Sequence, residues 1–468
     1  MTCLGSPRLS RWARVATHCA LFTGLAANVA SAASDDEPRG TEKRHEAAPD
    51  KREVPDYDGR APAPATPGEV LLWVPRVALF PAYVVSEYVI RRPLGYLVTE
   101  AERAQLPTAL YNLFTFGPDH KAGVVPTVLI DFDFEPSVGF YAFWDDAGFA
   151  NHDLRLRGAT WGGDWLAGAI TERFHIEEAL DVTFTLSGVH RPDYVFYGLG
   201  PSSRERNLSR YGADVIEARE ITSYRFGGAS SIVASLGYRS AFFRPGEYDD
   251  DEPTLDASVQ AGRFPLPPGY EYGYRAGFSR VEVGLDTRTD EGRHSGGRVQ
   301  FELEQGSDFK TTPASGWLRY GGTVGGFLDL GSNGRIVSLS ASALFSDPLG
   351  SRPVPFTELA ILGGNRLMPG FASGRLVGES AAVTTLRYSW PIWIWLNGSL
   401  QAALGNVFGE HLSGFSLARS RLSMALGIES NSSRDNVFQA LFGLGSEPLA
   451  DGTEIESARV TLGVRNGF

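Results

Sequence analysis

The chain has 468 residues, 43 of them basic and 55 acidic, and a formal net charge of −12 that argues against nucleic acid as a partner. Glycine is abundant at 54, aromatics make up 12 %, and mean hydropathy is −0.14. These values fit a soluble β-protein and a membrane barrel equally well, because a polar lumen and polar loops keep average hydropathy low. The two cysteines, Cys3 and Cys19, both lie near the N-terminus, which leaves no material for a disulfide framework or thiolate metal site in the remainder.

Residues 1–32 read as a secretory signal. Arg8, Arg11 and Arg14 form the positive region, Ala20 to Ala27 a short apolar core, and Ala30-Ser31-Ala32 a small-x-small cleavage site. The apolar run is too short to span a bilayer, and His18 before Cys19 does not suit lipid attachment. Residues 33–68 are charged and proline-rich (Asp35, Asp36, Glu37, then Pro62, Pro64 and Pro67), the composition of a disordered linker. Over 69–121 the spacing turns helical, with Val84, Tyr88 and the pair Glu100 and Arg103 in register. Thr99 and Glu102 form a capping-box pattern. A periplasmic helical segment docking at, or entering, whatever follows is expected.

From 122 to 468 the pattern has period two. Val128, Ile130, Phe132 and Phe134 alternate with Leu129, Asp131 and Asp133, and Leu180, Val182, Phe184 and Leu186 with Asp181, Thr183, Thr185 and Ser187. Val337, Leu339, Ala341 and Ala343 alternate with serines, and Leu422, Met424, Leu426 and Ile428 with Ser423, Ala425 and Gly427. Connections placed backwards from the C-terminus take turns between long (446–456, 409–416, 347–378) and short (431–434, 391–396, 331–334). A transmembrane barrel with long external loops and short periplasmic turns shows this alternation. Trp390, Trp393 and Trp395 fall at a short turn, where an interfacial aromatic girdle would sit. The fold expected is all-β: a transmembrane antiparallel β-barrel of about 16 strands. The last strand has Val460, Leu462, Val464 and Phe468 on a lipid face and Arg459, Thr461 and Arg465 toward the lumen. Its terminal Phe468 suits a girdle position and a signal to the outer-membrane assembly machinery.

Three ordered segments carry a resemblance. They are Gly363-Gly364-Asn365-Arg366-Leu367-Met368-Pro369-Gly370-Phe371 in the longest loop, Leu285-Asp286-Thr287-Arg288 before Gly296-Gly297, and Gly405-Asn406-Val407-Phe408. Tyr197-Gly198-Leu199-Gly200 and Leu386-Arg387-Tyr388-Ser389-Trp390-Pro391-Ile392 fit the same pattern. Over roughly 122–468 the chain resembles the barrel domain of the BamA/TamA-type outer-membrane assembly superfamily, also called bacterial surface antigen. The resemblance implies a 16-stranded barrel whose long loop folds into the lumen, with an Arg-Gly-Phe/Tyr tip meeting acids on the inner wall. Here Pro369 stands where that arginine belongs, and Arg387 and Ala403 stand where the wall acids belong. Arg366 and Arg375 are left to pair elsewhere. Losing arginine and acid together avoids an uncompensated buried charge. The loop is still expected to fold inward, held by the apolar Phe356, Leu359, Ile361, Leu362 and Phe371 and freed at Gly363, Gly364 and Gly370. Residues 34–121 show no β-α-α-β-β run of the periplasmic receiver domains that capture clients, so assembly activity does not follow from the fold.

No enzyme chemistry stands out, and no cofactor or metal site is expected. His120, His152, His175, His190, His294 and His411 are scattered without metal-ligand spacing. His175 and His190 are the candidates for an outer-wall lipase. Asp249-Asp250-Asp251-Glu252 reads as a solvated tip of an external loop rather than a calcium site. Asp286, Arg288, Arg387 and Arg465 read as residues that knit the wall. The expected role is outer-membrane biogenesis or transport of protein or lipid, with outer-membrane lipid and an unidentified client as partners. A passive or substrate-specific pore and an outer-membrane hydrolase are the alternatives.

Overall fold

A computed structural model describes residues 103–464 except 118, 250, 289–294, 311–314, 331–333, 366, 394–395 and 431–437, together with Phe80, Val84, Tyr88, Arg92, Tyr96 and Glu100. The signal and linker readings, the Thr99 and Glu102 cap, His294, Arg366, Trp395, Arg465 and Phe468 lie outside these residues, and of Val464 the backbone alone is described. No described helix is long and apolar enough to cross a membrane, which does not bear on crossing by strands.

Sixteen antiparallel strands form a closed wall. They are β1 (Ala122–Asp131), β2 (Ser137–Trp144), β3 (His152–Thr160), β4 (Leu166–Glu177), β5 (Leu180–Phe196), β6 (Ser209–Phe226), β7 (Ser230–Pro245) and β8 (Tyr274–Asp286). These are followed by β9 (Gly296–Asp308), β10 (Ser315–Asp329), β11 (Ile336–Pro348), β12 (Ser380–Trp393), β13 (Leu396–Phe408), β14 (Arg421–Ser430), β15 (Phe438–Pro448) and β16 (Ile455–Val464). Each strand pairs with the next. The ring closes where β16 meets β1, with Thr461 opposite Asp131, Leu462 opposite Ile130 and Gly463 opposite Leu129. Closure removes the free edges that an open sheet would leave unpaired, the condition for crossing lipid with strands.

The alternation read from sequence sorts the side chains. Phe184, Leu186, Leu339 and Met424 are exposed on the outer face, while Asp181, Ser342, Ser423 and Thr461 are buried inside. An outer face this apolar and an inner face this polar invert a soluble protein and match a transmembrane barrel. Tyr388 and Trp390 stack outside at 5.1 Å, where a girdle was expected. Phe134 departs from the pattern. It lies past the end of β1 and turns inward against Val195, Tyr197 and Ala372. The connections also sort. The long ones, 197–208, 246–273, 349–379 and 409–420, gather at one end (the loop end), and the opposite, turn end carries connections such as 178–179 and 227–229.

At the turn end, α1 (Leu106–Phe114) begins with a proline in its first turn and leads into Thr115 and Phe116, which pair with Gly123 and Ala122. Phe114 packs on Val125, Tyr141 and Phe143 of the inner face of β1 and β2. A Cβ at Gly123 would lie 2.6 Å from the Phe114 carbonyl oxygen, so glycine there lets the helix approach the wall. Upstream, Phe80, Val84, Arg92, Tyr96 and Glu100 are helical, and Glu100 pairs with Arg103 at 2.6 Å.

Candidate functional site

The connection 349–379 leaves β11 and folds into the barrel. Its first anchor is Glu358, which is buried. Arg239 of β7 donates to both its carboxylate oxygens at 2.8 and 2.9 Å, Arg319 of β10 donates at 3.1 Å, and the Tyr274 hydroxyl of β8 donates as well. Two guanidinium groups and a phenol satisfy one carboxylate, as a buried charge requires. Phe356, two residues earlier, sits among Phe196, Tyr211, Phe243 and Tyr270. These rings form one apolar cap with Leu255, Phe264 and Trp317 at the loop end.

The loop then forms a hairpin, Ala360–Leu362 against Leu376–Gly378. Gly363 and Gly364 adopt positive φ angles of 106° and 73°, and a Cβ at Gly363 would meet the Ala372 carbonyl oxygen at 2.2 Å. The Gly364 N–H donates to the Phe371 carbonyl at 2.8 Å and closes the tip. The tip docks on serines and glycines of β14, β15 and β16. The Gly370 N–H donates to Ser423 Oγ at 2.8 Å, and Ser457 Oγ donates to the Gly370 carbonyl. A Cβ added at Gly443 would come within 2.6 Å of the Pro369 carbonyl oxygen, and one at Gly445 within 2.6 Å of the Phe371 ring. Phe371, Met368, Leu362 and Leu376 are fully buried here, in a cluster that includes Ala403 of the wall. The position at which the resemblance placed a wall acid is therefore an alanine packed on the loop's apolar side chains. Ile361 does not join them. It is 37 % exposed and faces a small luminal cavity with Arg280, Glu302 and Arg319.

The second anchor is ionic, and the apolar side chains do not hold the loop alone. Arg375, just before the returning strand of the hairpin, is buried and places Nη2 2.7 Å from Glu456 Oε1 of β16. Arg421 of β14 binds the same carboxylate oxygen, and both arginines donate to Ser203 in the 197–208 connection, Arg375 to its hydroxyl at 2.9 Å and Arg421 to its carbonyl at 2.6 Å. The Arg375 guanidinium lies 4.3 Å from the Tyr197 ring centroid. Burial pushes the Arg375 pKa down, and Glu456 opposes that shift. The Gly200 N–H donates to the Val377 carbonyl at 2.8 Å, so Tyr197-Gly198-Leu199-Gly200 forms the groove in which the loop returns. Asn406 is buried beside it and donates to the carbonyls of Pro201 at 3.2 Å and Arg419 at 2.6 Å. Gly405 faces β12, where a Cβ would lie 2.4 Å from the Ala382 carbonyl oxygen.

A third contact reaches the closure. Arg459 of β16 forms a bidentate ion pair with Asp131 of β1, and its Nη1 donates to Asn365 Oδ1 of the loop at 2.8 Å. The strand seam and the loop thus share one arginine.

The remaining sequence candidates lie elsewhere. Asp286 and Arg288 pair with each other at 2.6 Å at the turn end, with Arg288 3.7 Å from the Phe327 ring centroid. Arg387 pairs with Glu429, also toward the turn end. Val460 and Leu462 face outward opposite Phe442 and Ala440. Glu252, read as part of a solvated tip, is instead bound to the buried Arg210. Both ring nitrogens of His175 meet carboxylates, Asp181 at 2.6 Å and Asp153 at 3.2 Å. His190 lies between Asp214 and Arg244, with Nε2 3.0 Å from the guanidinium. Among the described residues neither histidine contacts a serine hydroxyl. Asp347, Glu410 and His411 cluster on the outside with ligand atoms within 4.8 Å of one another.

These features define a transmembrane β-barrel whose lumen is entered by a loop anchored to the wall at both ends. The chain is similar to BamA from Haemophilus ducreyi lacking POTRA domains 1–3, with a TM-score of 0.49 and 14 % identity over 74 % of this chain and 70 % of that one. It is also similar to CdiB from Acinetobacter baumannii (TM-score 0.45, 12 % identity, 73 % of this chain and 59 % of that one) and to CdiB from Escherichia coli (0.45, 15 %, 73 % and 62 %). The chain thus spans less than two thirds of either CdiB chain. No family model matches the sequence, and no curated protein matches it.

Proposed function

We propose that the protein is an outer-membrane barrel of the BamA/TamA-type superfamily, exported through a Sec-type signal, that acts in outer-membrane biogenesis or in moving protein or lipid across or into that membrane. The observation that carries this reading is the double anchoring of the in-folded loop through Glu358 and Arg375. A passive pore gains nothing from burying two ion clusters to keep its lumen filled. A device that must stay closed until a client engages it does, since such clusters have two discrete arrangements, made and broken.

The test is depletion of the protein in its host, followed by quantification of the outer-membrane proteome and lipid composition. Selective loss of a class of outer-membrane protein or lipid supports the reading and names the client. An unchanged envelope combined with impaired uptake of a small solute would favour the substrate-specific pore instead.

A further inference from the structure

At the loop end, the outward faces of β5 to β9 carry a row of cations. The first is Arg244, which lies across Gly212 with a guanidinium nitrogen 3.0 Å from His190 Nε2, while His190 Nδ1 meets Asp214. Beside them is Phe242, whose ring carries two further cations: the Lys310 ammonium at 4.5 Å from the centroid and the Arg275 guanidinium at 5.2 Å. Arg275 is exposed, and among the described residues its guanidinium contacts no carboxylate. Lys310 donates to the Tyr272 carbonyl. Asp214 and Asp308 are the acids inside the row, and the Asp308 carboxylate accepts the backbone N–H groups of Arg275 and Lys310 at 3.1 and 2.9 Å. Glu271 adjoins the row but engages its neighbour Tyr272. Phe309 and Tyr272, 66 % and 65 % exposed, flank the row as an apolar and aromatic margin.

Two like charges held over one ring repel each other, and the ring offsets that repulsion only in part. An anion bound beside the ring relieves it, and a guanidinium presents the fork geometry that phosphate accepts. The row sits where the strands end, with exposed apolar side chains such as Leu236 and Val281 below it on the same face, which is the level of headgroups rather than of acyl chains. We propose that this patch, built on Arg244, Arg275 and Lys310 around Phe242, binds the phosphorylated saccharide headgroup of an outer-leaflet glycolipid. The claim goes beyond the proposed function and needs only that the loop end face the outer leaflet.

The experiment uses the full-length protein in detergent, titrated with bisphosphorylated lipid A, its dephosphorylated form and zwitterionic phosphatidylethanolamine, and read by native mass spectrometry. The wild type should retain bisphosphorylated lipid A in preference to the other two. Arg275→Ala with Lys310→Ala should lose at least about tenfold in retention, as expected for two lost charge-assisted contacts, while Arg204→Ala with Arg419→Ala on the loop crown should lose nothing. Equal retention by the Arg275 and Lys310 double variant, or equal retention of the dephosphorylated lipid by the wild type, overturns the proposal. So does full displacement by an equal concentration of inorganic phosphate, which would make the patch a free-phosphate site. If the alanine variant loses its heat-modifiable migration, Arg275→Gln and Lys310→Gln taken singly serve in its place, with a several-fold loss expected from each.

Discussion

Arg375 of the in-folded loop and Glu456 of the last strand meet at 2.7 Å inside the barrel, with Arg421 closing on the same carboxylate from β14. The contact joins a connection that begins after β11 to the strand that seals the ring, so the position of the loop and the integrity of the wall are linked. Glu456→Gln leaves two buried guanidinium groups without their charge partner, and the expected cost is about 3–5 kcal/mol. Unfolding in urea, followed by the shift between heat-modified and compact forms on a gel, measures it. Arg375→Ala with Glu456→Gln should cost less than the sum of the two single changes, because each has already disabled the other's contact.

The opposite anchor should respond in the same direction but less. Glu358→Gln weakens the Tyr274 contact and takes a charge from Arg239 and Arg319, which keep Glu217 and Glu304 as partners, so the expected cost is about 1–3 kcal/mol. Planar-bilayer recordings should show little steady current for the wild type and frequent openings for Glu358→Gln combined with Arg375→Ala. A quiet trace from that double variant would mean that the apolar cap alone keeps the lumen shut.

Much of this was legible in the sequence, and its limits have a physical cause. Period-two alternation gave the strands and their inward and outward faces, because the side-chain period needs no long-range information. The inward loop was legible from the glycines at 363 and 364 and from its surplus of apolar residues. The anchors were not. Arg375 and Glu456 lie 81 positions apart, and Arg239 and Glu358 lie 119 apart, so their meeting depends on ring closure. Strict alternation with Val460 and Leu462 would turn Glu456 outward. A register shift between Gly445 and Ser446 skips it in the ladder and brings its carboxylate inside. The usable hint was Arg375 itself, a charge next to Leu376 and Val377 that calls for a buried partner.

Glycines at the docking surface offer a separate handle. Gly443→Val puts atoms where the Pro369 carbonyl lies, at 2.6 Å from the first carbon alone, and should displace the loop tip without touching either ion cluster. Limited proteolysis within 363–372 should rise several-fold in this variant and stay at the wild-type level in Gly326→Val, which faces open space.

On the outer face, Leu462→Arg should impair assembly by about 2–4 kcal/mol if that position lies near the membrane midplane. Deleting Phe468, which the period-two alternation of Val460, Leu462 and Val464 is expected to keep on the lipid face, should lower outer-membrane yield. Normal heat-modifiable migration and normal yield of both variants would count against a lipid-facing last strand.

The most direct test of the central claim, a lumen closed by the loop 349–379, is thiol accessibility in intact cells. The wild-type sequence has cysteine only at 3 and 19, so a single introduced thiol reports cleanly. Ala372→Cys replaces a buried residue of the in-folded tip, and Leu417→Cys replaces an exposed residue of a neighbouring connection at the same end. A bulky membrane-impermeant maleimide should label Cys at 417 quickly and leave Cys at 372 unmodified until the protein is denatured. Equal, rapid labelling of both would place the loop outside the barrel and contradict the account.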